Sequence, residues 1–157
     1  MVEKDAVIER QHYKGLAWVA SMALFMQSLD ATILNTVLPT IATDLQTPVF
    51  EMQMAIIAYS LAVALFIPLT AWAAAKFGTL TVFRSAVFTF VFGSVACAMA
   101  TSLETLVLAR ILQGIGGAFM MPVARLAIIQ TVPKNQLINA WNLMATAGLI
   151  GPILGPI

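Results

Sequence analysis

Two charged residues, Asp30 and Arg110, stand inside long apolar stretches of this chain. A charge placed at mid-membrane costs about 2.5–3.5 kcal/mol on insertion scales, so such residues normally turn inward and find a partner. Counting residues from the apolar segment starts gives their depths. Asp30 is about 15 residues beyond Gly15, roughly 22 Å at ~1.5 Å per residue, which leaves it about 8 Å below the far edge of a ~30 Å hydrocarbon core. Arg110 lies about seven residues inside Leu103 on a segment running the opposite way, roughly 10 Å below the same edge. At matched depth an acid and a base can pair if their helices are neighbours. The competing reading is that each charge snorkels separately toward the membrane surface.

The surroundings bear on that choice. At 100° per residue, Arg110, Gln113, Gly114, Gly117 and Met121 share one helical face, joining polar groups to glycines that permit close helix approach. Ser28, Thr32 and Asn35 form a polar stripe on the first segment, with Gln27 and Asp30 at its edge. A helix so marked cannot face lipid all round, and a water-lined cavity is its natural use. Gln27, Asn35 and Gln113 are the candidates to line it. Phe25, Met26 and Met121 either offer adaptable apolar surface to a ligand or serve as packing.

These residues must be positioned by membrane helices. Of the 157 residues 61% are hydrophobic and 10% charged, with a mean hydropathy of +0.93, whereas soluble domains carry about a quarter charged residues. Five segments reach the roughly 20 apolar residues that a crossing needs: 15–38, 52–75, 81–100, 103–125 and 137–157. Residues 1–14 form a polar N-terminal tail. The first segment is too long for a signal-peptide core and contains Asp30 and Asn35, so it reads as retained. Lys4, Arg10, Lys14, Lys76, Arg84, Arg125 and Lys134, seven of the eight basic residues, fall on one side of the membrane, and only Arg110 lies within a span. By the positive-inside rule the N terminus is cytoplasmic. A net charge of +1 without a basic cluster argues against nucleic acid as a partner. His12 and Cys97 are isolated, so neither metal, cofactor nor disulfide is expected, and the spans hold no cluster of nucleophile and base that would mark an enzyme.

The segment Leu29-Asp30-Ala31-Thr32-Ile33-Leu34-Asn35-Thr36-Val37-Leu38-Pro39 resembles the first-helix signature of major facilitator superfamily exporters of the EmrB/QacA type. Leu106-Val107-Leu108-Ala109-Arg110-Ile111-Leu112-Gln113-Gly114-Ile115-Gly116-Gly117-Ala118 is similar to that superfamily's fourth-helix motif. Gly151-Pro152-Ile153-Leu154-Gly155 is similar to its fifth-helix antiporter motif, and Tyr59 and Pro68 also fit. Within the group the chain is similar to MdtD-type multidrug transporters. The resemblance implies an all-α transmembrane fold, here the first five helices of an N-terminal six-helix bundle, in the bacterial inner membrane. It implies export of a small hydrophobic or cationic substrate in exchange for protons. Asp30 and Arg110 would be the coupling pair, and Gly151, Pro152 and Gly155 the motif governing helix flexing; on residue types alone that last seam serves packing or bending equally. The cytoplasmic loop between the second and third spans departs from the family pattern. Lys76 and Gly78 remain, but Ala71 replaces a Gly, Ala75 the latch Asp and Leu80 an Arg.

Alternating access rocks one repeat against another around a midplane site. Five spans supply less than one bundle, so the chain is expected to be a fragment whose partners include missing C-terminal helices. The alternative is a non-transporting membrane module that associates with a full-length transporter.

Overall fold

In the computed structural model the backbone is described for residues 2–154 and the side chains for 15–150 and 153. The described residues form helices joined by short connections: α1 (Val2–Asp44), α2 (Val49–Phe66), α3 (Leu69–Phe77), α4 (Thr79–Ala98), α5 (Leu103–Thr131), a 3-10 turn (Lys134–Gln136) and α6 (Leu137–Leu154). Four stretches among them are long and apolar enough to cross a membrane: Gly15–Asp44, Val49–Phe66, Thr79–Ala98 and Leu103–Thr131.

The helix ends follow local chemistry. α1 begins at Val2, ahead of the membrane entry expected at Gly15, and continues through Pro39 to Asp44. It stops where Gln46 takes a φ of +51° and Thr47 N–H donates to the Ala42 carbonyl, a left-handed closure of the last turn. The second expected span, 52–75, is two helices, because Pro68 has no N–H to continue the ladder and stands at the start of α3. The joint between α3 and α4 is Gly78 alone, at φ +84° and ψ +142°. Only glycine adopts that conformation without strain. α5 opens on a reciprocal cap in which Ser102 and Thr105 satisfy each other's backbone N–H groups.

α5 is the centre of the bundle. It buries residues on several faces, among them Leu106, Gln113, Met120, Val123 and Ile128, and packs against α2 and α4, while α1 packs against α6. Apolar side chains such as Phe50, Phe88 and Ile138 point outward, more than 70% exposed. In water such a surface would be untenable, and in hydrocarbon it is the solvated face.

Candidate functional site

Glycine brings the helices close enough to build the site. A Cβ at Gly114 would fall 2.7 Å from the Tyr59 carbonyl and 2.9 Å from the Ala62 methyl, so α2 lies directly on α5. On the other face of α5, a Cβ at Gly116 would sit 2.5 Å from the Phe90 nitrogen of α4. The side chains between these backbones therefore have fixed positions.

Asp30 of α1 and Arg110 of α5 meet there. Arg110 Nη1 donates to Asp30 Oδ2 at 2.8 Å, and Gln113 Nε2 donates to Oδ1 at 2.9 Å, so each carboxylate oxygen holds one donor. The side chains are 6% and 16% exposed, which is not the disposition of charges that snorkel separately. Bonds between ionised partners are roughly twice as strong as neutral ones. A buried ion pair still adds little net stability because both ions lose water, whereas deleting one partner alone strands the other at a cost of about 3–5 kcal/mol. The Arg110 guanidinium also stands 5.9 Å from the Tyr59 ring centroid, within cation–π range. Its Nε is buried with no hydrogen-bond partner among the described residues. Such an unsatisfied buried group is costly.

A second layer orients the first. Gln113 Oε1 accepts from Cys97 Sγ at 3.6 Å. Gln27 Nε2 donates to the Tyr59 hydroxyl and to the Gly117 carbonyl, both at 3.3 Å, tying α1 to α2 and α5. Gln27 and Tyr59 also line a cavity of about 680 Å³ between α1, α2, α5 and α6, which includes Met121, Arg125 and Trp141. Asp30 and Arg110 open instead onto a smaller cavity of about 230 Å³ beside Ser94 and Cys97.

The other sequence candidates fall as follows. Gln113 is fully buried and acts as a donor to Asp30. Asn35 is exposed and donates to the Ala31 carbonyl of its own helix, away from the 680 Å³ cavity. Met26 packs in the core, Phe25 is half-buried, and Met121 lines the large cavity. Lys76 is stacked on Trp72 and Phe77, 4.9 and 5.4 Å from their ring centroids, and Gly78 makes the α3–α4 joint. Gly151 and Pro152 fall in the last part of α6, where the side chains lie outside the described residues, as Gly155 does entirely. The contribution of Cys97 was missed, since a lone thiol in an apolar run is indistinguishable from a small hydrophobe. Gly93 opposite Gln113 was missed as well, although it is the one glycine inside its span.

Residues 20–157 match the Major Facilitator Superfamily. The chain is 84% identical over 149 residues to a Haemophilus influenzae protein named "Probable transport protein HsrA", covering 95% of this chain and 32% of that one. It is 45% identical over 139 residues to the Salmonella typhi "Putative multidrug resistance protein MdtD", and 44% identical over 139 residues to the protein of that name in Yersinia pestis, with 88% of this chain and 30% of each relative covered. The chain thus spans about a third of the length of the curated relatives it matches. With a match over most of its length and helices arranged around a shared central span, the chain belongs to the Major Facilitator Superfamily and forms part of that family's N-terminal bundle.

Proposed function

We propose that this chain supplies the N-terminal helices of a proton-coupled exporter of small apolar molecules, working by alternating access in the bacterial inner membrane with its N terminus in the cytoplasm. The observation that carries the reading is a carboxylate held in the membrane by one cation and one amide, 2.8 and 2.9 Å away. Proton uptake at Asp30 removes the charge that Arg110 and Gln113 bind. Arg110 then keeps only the Tyr59 ring among its partners here, and the α1–α5 contact loses its main attraction. A ligand or proton can shift a two-state equilibrium only through a difference in interaction between the states. The loss of this pair is such a difference. The relatives named for transport and multidrug resistance support the direction of the reading, as do seven basic residues gathered on one side of the spans.

Within this reading the chain is a transporter and not an enzyme. No observation favours the alternative of a non-transporting module. The deciding experiment is Asp30→Asn in the protein at its full natural length, reconstituted with an imposed proton gradient. Gradient-driven efflux is expected to fall to background while membrane insertion is unchanged. Wild-type coupling in that variant would remove Asp30 from the mechanism.

A further inference from the structure

We infer that the cavity between α1, α2, α5 and α6 is a site for a lipophilic organic anion, with Arg125 as its specificity-determining residue and Trp141 as its stacking surface. This deepens the transport reading above and rests on it. The cavity has a volume of about 680 Å³, within the ~300–1,000 Å³ typical of small-molecule sites. Its walls are mostly apolar, with Gln27, Ser28 and Tyr59 contributing polar groups. Among the described residues that line it Arg125 alone is charged, and none is acidic. Asp30 does not supply the missing acid. It opens on the separate 230 Å³ cavity, and both of its oxygens are already bonded.

Arg125 makes no ion pair among the described residues. Its guanidinium lies 5.8 Å from the Trp141 ring centroid, reaching from α5 to α6. A guanidinium stacked on a ring keeps its N–H edge for a planar, bidentate acceptor such as a carboxylate or sulfonate. An aromatic body attached to that anion can lie along Trp141 and against the thioethers of Met121 and Met144, which adapt to varied shapes. A cationic compound in the same place would face, at short range, a guanidinium that has no ion-pair partner among the described residues. The cationic substrates expected from the family resemblance therefore suit this cavity poorly. A simpler role for an Arg–Trp pair near a helix end is anchoring at the membrane interface. Anchoring would affect insertion, but it would not select the sign of the transported molecule.

The inference has an electrical consequence. Exchanging one monovalent anion outward for one proton inward carries two positive charge equivalents inward. Exchanging one monovalent cation for one proton carries none.

The test uses the protein at its full natural length in proteoliposomes, with pyrenebutyrate as the anion and ethidium as the cation, under a potential set by potassium and valinomycin. Pyrenebutyrate is expected to be carried at least tenfold more efficiently, faster when the potential is negative on the side it leaves. Arg125→Gln should raise its KM tenfold or more, and Arg125→Lys should recover part of that loss. Binding of pyrenebutyrate to detergent-solubilised protein, followed by its fluorescence, should weaken in the same order even if a variant turns over poorly. Ethidium carried as well as pyrenebutyrate, neither compound carried, or an unchanged KM and affinity in Arg125→Gln would each overturn the inference. Ethidium transport that depends on Asp30 would remove the anion site and leave proton coupling standing. Anion selectivity that survives Asp30→Asn with coupling unchanged would do the reverse.

Discussion

The two sides of the bundle are packed in different ways. Where α5 meets α2 and α4 there is no room for one methyl group: a Cβ on Gly114 or Gly116 would meet backbone atoms at 2.5–2.8 Å. Where α1 meets α6, a Cβ on Gly148 would meet nothing within 4 Å, although Ser28 Oγ donates to the Gly148 carbonyl at 2.9 Å. The large cavity lies along that second seam, while Arg110 and Gln113 project from the tightly packed helix. The difference places Arg110 and Gln113 on the helix whose glycines leave no room for a methyl group, and the large cavity beside α6, with the Asp30 carboxylate linking α1 to α5.

Four single substitutions and one double variant test that contrast, in descending order of effect. Arg110→Leu leaves Asp30 buried without its cation, and thermal unfolding in detergent should show a loss of about 3–5 kcal/mol. Adding Asp30→Asn to the same chain should restore part of it, and no recovery would mean that the pair is not a unit. Gly116→Ala drives a methyl against the Phe90 and Ala86 backbones, which cannot yield as a side-chain end could. A loss of about 1–3 kcal/mol is expected by the same assay. Ser28→Ala removes one interhelical hydrogen bond across the α1–α6 seam, worth about 0.6 kcal/mol in a membrane. Gly148→Ala should stay within about ±0.5 kcal/mol. Should Gly148→Ala prove as damaging as Gly116→Ala, the two seams are not different in kind and the comparison is void.

Much of the site could be read from residue types because hydrocarbon penalises errors so heavily. An acid and a base in apolar runs had to face inward, and residue counting gave their levels because a helix rises by a constant amount per residue. The glycines of α5 were legible as points of close approach. The helix that each glycine meets was not, since Gly114 faces α2 and Gly116 faces α4 only in the assembled bundle. Asn35 and Gln113 were given the same role on polarity alone. One is exposed and bonded within its own helix, and the other is buried under the carboxylate. The break at Pro68 was concealed by the apolar continuity of residues 52–75, because hydropathy is blind to a missing N–H.

By itself the sequence determined that this protein lives in a bilayer, that its long apolar segments are helical and which charges cannot face lipid. These follow from transfer energies and helix geometry, both local properties of the chain. Only the tertiary structure decided that Gln113 completes the Asp30 site, that Cys97 and Tyr59 flank it, and that Arg125 stands over Trp141 in a cavity with no acid among its described lining residues. Those relations join residues far apart in the chain, and they depend on how helices rotate about their axes when they pack, which no single helix specifies.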